Sequence, residues 1–114
     1  LNVWQEAHDL VRLVYKTTES FPKEEKFGLT SQLRRAALSI PTNIAEGCGR
    51  EGDLELKRFL QIAMGSASES DYLILLAKDL DIINNHQHSE LAQRITRVMK
   101  MLSSFIKKIR ADIN

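Results

Sequence analysis

The chain has few of the residues that form covalent or metal-stabilised folds. Its 114 residues contain one cysteine, Cys48, so no disulfide can form within the chain. A lone cysteine fits a reducing compartment, and we predict a cytoplasmic protein. The histidines do not show the Glu-x-x-His motif that carboxylate-bridged metal bundles use, and His86 and His88 are expected to lie in a solvated turn. The sequence therefore predicts no metal and no other cofactor.

Long apolar runs and a large net charge are also missing. The longest unbroken apolar run extends from Tyr72 to Ala77, far below the ~20 residues that a helix needs to span a bilayer. We therefore predict no membrane partner. The 16 Lys and Arg nearly balance the 15 Asp and Glu, so a nucleic-acid surface would need local clustering of cations. No serine lies in a nucleophile-elbow motif, and we do not expect an enzyme.

Apolar residues recur at spacings of three and four through most of the chain, which predicts helices and indicates no strand. We predict one domain over residues 1–114 with helices at about 2–20, 30–48, 53–81 and 89–111. The expected helix caps are Asn2, Thr30, Asp53 and Ser89, and Leu1 could act as a hydrophobic staple. Short connections between the helices predict an all-α fold in which antiparallel helices pack as a four-helix bundle.

The segment from Ser31 to Arg50 is unusual for a helix. Pro41 interrupts its middle, but the apolar periodicity continues to Ile44, which predicts one helix with a kink at the proline. Two short helices meeting at Ile40 and Pro41 are the alternative. Gly47 and Gly49 are predicted to provide the left-handed residues that end the helix.

A polar arc runs along the same helix. It consists of Arg35, Ser39, Asn43 and Glu46. We predict a structural network at a helix or subunit interface, with Glu46 paired to Arg50 one turn later. Glu69 of the third helix falls among apolar positions and would need a cation if it were buried, so we expect it to pair with Arg35. The alternative for this arc is a ligand-binding edge.

The third helix has more apolar surface than a peripheral helix requires. One apolar stripe consists of Leu56, Phe59, Leu60, Ala63, Ala67, Ile74 and Ala77. A second stripe beside it consists of Leu54, Ile62, Tyr72, Leu73, Leu76 and Leu80. Because one stripe suffices to face a core, the second predicts burial against a further neighbour, including another subunit.

The last helix separates apolar and basic residues onto different sides. Its expected core positions are Leu91, Ile95, Val98, Leu102, Phe105 and Ile109, and its basic residues are Arg94, Arg97, Lys100, Lys107 and Lys108. Cations repeated along a helix can contact successive phosphates, so this basic side is the candidate nucleic-acid surface. A merely solvated surface is the alternative. No aromatic residues interleave with these cations, so base stacking is not predicted.

Three stretches resemble a known family over nearly the whole chain. They are VWQEAHDLVRLVYKTTESFP (residues 3–22), QLRRAALSIPTNIAEGCGR (32–50) and ELKRFLQIAMGSASESDYLILLAKDL (55–80). These stretches resemble the bacterial four-helix-bundle proteins first noted in intervening sequences of 23S ribosomal RNA genes. The most specific parts are Arg34 to Gly47 and Ala63 to Glu69. Cys48 departs from the family pattern, which commonly has an aromatic residue there.

The resemblance implies an up-down bundle that assembles into a ring-like homopentamer. The chain is also similar to the accessory bundle protein of diversity-generating retroelements, which binds a reverse transcriptase and nucleic acid. We therefore predict a non-enzymatic homo-oligomer that binds RNA or DNA without sequence specificity through its basic surface. A scaffold for protein partners, such as a reverse transcriptase, with no direct nucleic-acid role is the alternative.

Overall fold

The computed structural model describes residues 2–113, and these residues form four long helices and no strand. The helices are α1 (Asn2–Thr18), α2 (Leu29–Cys48), α3 (Asp53–Asp79) and α4 (Asn85–Ile113), with a short 3₁₀ helix (Lys23–Glu25) between α1 and α2. The predicted all-α fold with four helices is confirmed. The staple expected at Leu1 lies outside the described residues.

The four helices pack side by side around one core. Each helix contacts its neighbour in sequence, and α4 returns to contact α1. The molecule measures 47 × 23 × 18 Å. Because a helix rises ~1.5 Å per residue, the 29 residues of α4 extend along nearly the whole long axis. The fully buried side chains at the centre include Leu10, Leu33, Ile40, Leu60, Ile74, Leu91, Ile95 and Leu102, each of which contributes about 1.5–3 kcal/mol through burial.

Pro41 lies inside one continuous helix. α2 runs from Leu29 to Cys48 through the proline, whose ring is buried. The prediction of one helix is confirmed and the alternative of two helices meeting at Pro41 is wrong, while the kink at Pro41 stays a prediction. Proline is tolerated here because it costs one backbone hydrogen bond while apolar side chains on both sides of it remain in the core.

The two glycines at the end of α2 do not act as predicted. Gly49 has φ −86°, so it is not left-handed. Gly47 lies within the helix at a close approach to α3, where an added Cβ would be 2.8 Å from the Cβ of Phe59. The left-handed glycine is Gly52, with φ 84°, immediately before α3. Gly47 thus allows two helices to approach closely, which periodicity along one helix could not reveal.

Two of the predicted N-caps are wrong because other side chains take that role. α2 begins at Leu29, whose N–H donates to Glu25 Oε1 at 2.9 Å, so Thr30 is not the cap. α4 begins at Asn85 rather than near Ser89. Asn84 and Gln87 form a reciprocal capping box, in which each backbone N–H donates to the side-chain oxygen of the other residue at 2.9 and 2.8 Å.

The earlier start of α4 also relocates two histidines and shortens the preceding connection. His86 and His88 lie in the first turns of α4 and not in a loop. At the end of α3, Asp81 takes a left-handed conformation with φ 59°. The Ile82 N–H donates to the Ala77 carbonyl and the Asp81 N–H to the Lys78 carbonyl, both at 2.9 Å. This Schellman motif ends α3 and turns the chain toward α4.

Asp53 is the first residue of α3, and Gly52 occupies the N-cap position without a side-chain hydrogen bond. The predicted cap at Asp53 is therefore one residue away from the observed one. A carboxylate at this first position is still favourable, because the N-terminal end of a helix carries partial positive charge.

Candidate interaction surfaces

The outward side of α3 carries several exposed apolar side chains. Its inward side chains are buried, including Phe59, Leu60 and Ile74. Large apolar side chains also point to solvent from this helix, with exposed fractions of 71% for Leu54, 41% for Ile62, 58% for Tyr72, 45% for Leu75 and 55% for Leu80. The second stripe is thus mostly outside the core, apart from Leu73, which is buried, and Leu76, which is partly buried.

Three apolar side chains, one of them partly buried, form a cluster at the C-terminal end of α3. Tyr72, Leu76 and Leu80 follow one another at intervals of four residues, so their side chains are neighbours on one side of the helix. Neighbouring apolar side chains exposed in this way commonly mark an interaction site on a folded protein.

A polar link joins α2 to α3. Ser39 Oγ and Ser66 Oγ are 2.8 Å apart, and Asn43 Nδ2 donates to Ser39 Oγ at 2.9 Å and to the Ser39 carbonyl at 2.8 Å. Ser70, which is fully buried, donates from Oγ to the Ser66 carbonyl. Two residues of the predicted polar arc, Ser39 and Asn43, therefore meet at this helix contact. Ser66 is a partner that the sequence analysis missed, although it lies in the Ala63 to Glu69 run.

Arg35 and Glu69 face the same groove but do not form the predicted ion pair. The groove has a volume of about 470 Å³ and is lined by Phe27, Gly28, Ser31, Gln32, Arg35, Ala36, Ser39, Ser66 and Glu69. Both charged side chains are exposed, and no ion pair includes either of them within residues 2–113. The expectation of pairing assumed a buried Glu69, whereas both side chains are exposed in the structure.

The ends of α2 and α3 carry local ion pairs. Arg50 Nη2 lies 2.9 Å from Glu46 Oε1 one turn away, and Arg58 Nε lies 2.9 Å from Glu55 Oε2. The hydrogen bond from Arg58 holds the pKa of Glu55 below its ordinary value, and the Arg58 and Arg50 charges act in the same direction. Both guanidinium groups also lie over the Phe59 ring, at 5.2 and 4.4 Å. These contacts belong to the surface of the α2–α3 turn and form no enclosed site.

The basic side of α4 divides into two parts. Arg97 Nη2 lies 3.1 Å from Glu6 Oε1 of α1, and Arg94 lines a groove together with Glu6 and Asp9. In contrast, Lys100, Lys107 and Lys108 are exposed and belong to no ion pair in the described chain. Among the five predicted basic residues of α4, the three lysines therefore remain the candidates for contact with an external phosphate. Sequence analysis missed this division because Glu6 and Asp9 are distant in sequence from α4.

The remaining candidate groups form no recognisable centre. In residues 2–113, no group of three or more His, Cys, Asp or Glu side chains is arranged to hold a metal ion. Cys48 is a free, exposed thiol, and His8 stacks on Trp4 with ring centroids 5.0 Å apart. No helix in this part of the chain has the length and apolar character needed to cross a membrane.

Fold and surface together define a small all-helical protein with an apolar outward side on α3 and a basic outward side on α4. The chain belongs to the family of 23S rRNA-intervening sequence proteins, whose family model matches residues 1–104. The family predicted from the Arg34 to Gly47 and Ala63 to Glu69 stretches is confirmed.

A solved structure supports the same fold. A protein of unknown function from the S23 ribosomal protein family of Bacteroides thetaiotaomicron is 27% identical. The match covers 92% of this chain and 98% of that protein, with a TM-score of 0.82. Comparison with curated proteins gives no match.

Proposed function

We propose that this chain is a cytoplasmic, non-enzymatic bundle that assembles with copies of itself and holds RNA or DNA through the free lysines of α4. The binding is electrostatic and independent of sequence. The family resemblance implies five copies, a mass of about 65 kDa for chains of 13.0 kDa.

An up-down antiparallel arrangement of the helices is part of this proposal. Residues 80–84 connect α3 to α4, and five residues extend at most about 18 Å. The 27 residues of α3 make a helix about 40 Å long. Since such a connection cannot return along the helix, α4 runs back beside α3. The connection from α2 to α3, residues 49–52, is equally short.

Self-association is supported by one observation above the others, the exposed apolar cluster on α3. Tyr72 and Leu80 are each more than half exposed in the single chain, although α3 already buries a full apolar stripe against the core. Apolar surface gains about 25 cal/mol for each Å² removed from water. Burying this cluster against a second copy would remove the second stripe from water and so stabilise the assembly.

Phosphate binding is supported by Lys100, Lys107 and Lys108. Lys100 and Lys107 are two helical turns apart on the same side of α4, which separates their backbones by about 10 Å. Neutralising phosphates with such cations releases counterions from the nucleic acid, which favours binding at low salt. An assembly of several copies would present several such lysine sets to one strand.

Pairing of arginine with acidic residues of α1 favours a second candidate function. The carboxylate of Glu6 neutralises Arg97, and Asp9 lies close to Arg94, so part of the basic surface is already occupied. A scaffold that binds a protein partner, for example a reverse transcriptase, would not need a continuous basic surface.

Titration of a labelled RNA and a labelled DNA duplex at several salt concentrations separates the two functions. Phosphate binding predicts an affinity that falls steeply as salt increases. Absence of binding even at low salt would overturn the nucleic-acid proposal and leave the scaffold. Light scattering after gel filtration on the same sample tests self-association independently of any ligand.

A further inference from the structure

We propose that the groove between α2 and α3 binds a free α-amino acid with an apolar side chain. In this site, Arg35 of α2 binds the carboxylate of the ligand, Glu69 of α3 binds its ammonium group, and Phe27 contacts its side chain. Neither self-association nor nucleic-acid binding is required for such a site.

Arg35 and Glu69 place opposite charges on the two walls of the groove without neutralising each other. Both line the space of about 470 Å³, and neither takes part in an ion pair within residues 2–113. The neighbouring Arg34 differs, because its guanidinium donates to Thr18 Oγ1 at 2.7 Å and lies 4.6 Å from the centre of the Tyr15 ring. A guanidinium binds a carboxylate through paired, charge-assisted hydrogen bonds. Arg35 and Glu69 therefore match the two charged groups of an amino acid.

Two serine hydroxyls beside these charges provide a further hydrogen-bond donor. Ser39 Oγ accepts from Asn43 Nδ2 at 2.9 Å and lies 2.8 Å from Ser66 Oγ. Each hydroxyl carries one proton, and the contact between the two serines uses only one of them. The second proton has no acceptor within residues 2–113, and both serines line the groove. One serine can therefore donate to a ligand.

The position of the serines suits a carboxylate held by the arginine. Arg35 is one turn before Ser39 on α2, and Glu69 is three residues after Ser66 on α3, so each charge is next to one of the serines on its helix. A ligand carboxylate at Arg35 can accept the free hydroxyl proton. Its ammonium group, one carbon away, is then directed toward Glu69.

Phe27 gives the same groove an apolar surface. Its side chain is 90% exposed although it lines the groove, and the ring has no place in the core. The buried Ala36 adds a second apolar group to the lining. An exposed ring gains stability when an apolar group excludes water from it. An apolar ligand side chain is therefore favoured over a charged one.

The size and the mixed charge of the groove exclude other classes of ligand. Its volume of about 470 Å³ lies within the range of about 300–1,000 Å³ that small-molecule sites occupy. A nucleotide would bring several negative charges close to Glu69, which opposes binding. A simple carboxylic acid or a simple amine would satisfy only one of the two charged walls. A zwitterion satisfies both.

Isothermal titration calorimetry of the wild-type chain with leucine, methionine and phenylalanine tests the site. Saturable binding of one ligand per chain is expected. Leucine amide lacks the carboxylate and N-acetyl-leucine lacks the ammonium group, so each should bind at least about tenfold more weakly than leucine. Absence of saturable binding by all three amino acids would overturn the proposal, and so would equal binding of leucine and its two analogues.

Two variants assign the charged groups of the ligand to the two walls. Arg35→Gln should weaken leucine binding about tenfold and remove the preference for leucine over leucine amide. Glu69→Gln should remove the preference for leucine over N-acetyl-leucine. Arg50→Gln is the matched control, because Arg50 is an exposed arginine near the other end of α2 and outside the groove. Unchanged leucine affinity in Arg35→Gln or Glu69→Gln would contradict the assignment.

A third variant and a mass measurement separate the site from a structural role. Phe27→Ser alters a ring outside the core, so it should leave the fold intact, weaken leucine binding and preserve the preference over leucine amide. Unchanged leucine affinity in this variant would contradict the contact with Phe27. Light scattering should give Arg35→Gln and Glu69→Gln the mass of the wild-type protein, whether that is an oligomer or a monomer. A changed mass would place these side chains in a subunit contact and overturn the ligand site.

Discussion

The outward sides of α3 and α4 face the same solvent but differ in chemistry and in what they already contact. On α3, Tyr72 and Leu80 are exposed apolar groups bordered by Glu69 and Asp79, which form no ion pair within residues 2–113. On α4, the outward positions are polar or basic, and Arg97 is already paired with Glu6. Both helices also bury a full apolar stripe. Contacts with the core therefore do not explain the residue composition of either outward side.

This difference separates two kinds of interaction. Apolar side chains gain stability only when a surface excludes water from them, which favours a lasting contact on α3. Lysines can remain hydrated until a phosphate approaches, and their contribution falls with salt, which favours a reversible contact on α4. We therefore expect changes on α3 to alter assembly and changes on α4 to alter ligand binding.

The largest expected effect is loss of assembly when the α3 cluster becomes charged. Tyr72→Glu combined with Leu80→Glu should convert the oligomer to a monomer, because carboxylates replace apolar groups at the contact. Light scattering measures the result. Lys100→Glu combined with Lys107→Glu is the matched control on α4, with two exposed positions, and should leave the mass of the oligomer unchanged. If both double variants dissociated the oligomer equally, the assembly contact could not be assigned to α3 rather than α4.

A second prediction compares inward and outward residues of α3 itself. Ile74 is fully buried and its neighbour Leu75 is 45% exposed. In the Tyr72→Glu/Leu80→Glu background, Ile74→Ala should lower the free energy of unfolding by about 2–5 kcal/mol, because it leaves a cavity. Leu75→Ala should cost less than about 1 kcal/mol. Denaturant unfolding measures both, and similar losses would show that Leu75 belongs to the core.

A third prediction divides the basic residues of α4. Replacing Lys100, Lys107 and Lys108 with Gln should weaken RNA or DNA binding at least tenfold. With three phosphate contacts to a duplex lost, the slope of log affinity against log salt should decrease by about 2.7. Replacing Arg94 and Arg97 with Gln should have a smaller effect, since Glu6 and Asp9 already attract these arginines. The opposite ranking would assign the phosphate contact to the α1–α4 groove.

The smallest expected effect concerns the start of α4. Asn84→Ala removes one half of the capping box and should cost about 1 kcal/mol, without changing oligomer mass or nucleic-acid affinity. Ser89→Ala serves as its control, because Ser89 lies within the helix and should change stability less. Thermal unfolding followed by circular dichroism measures both variants. A larger loss of stability for Ser89→Ala than for Asn84→Ala would indicate that Ser89 is the N-cap, as the sequence predicted.

Periodicity predicted the helices well because each buried stripe is a property of one helix. The apolar positions of α4, such as Leu91, Ile95 and Leu102, repeat with the period of the helix and are buried as expected. The surplus on α3 was also visible in the sequence, since Tyr72 and Leu80 fall off the core stripe. In both cases the information is local to a single element.

Features that depend on two elements were not predictable in this way. The caps from Glu25 and Asn84, the close approach at Gly47 and the pairing of Arg97 with Glu6 each require knowledge of a neighbouring segment. Arg35 and Glu69 were expected to pair because one helical wheel placed Glu69 among apolar positions. The second stripe of that wheel faces solvent, so the carboxylate needs no buried partner.

The mass of the unmodified protein in solution tests the central claim most directly. If the exposed side of α3 is an assembly surface, light scattering after gel filtration should give a multiple of 13.0 kDa, with about 65 kDa expected for a closed ring of five. A species of 13.0 kDa at every concentration would contradict the account, because the apolar outward side of α3 would then remain exposed to water.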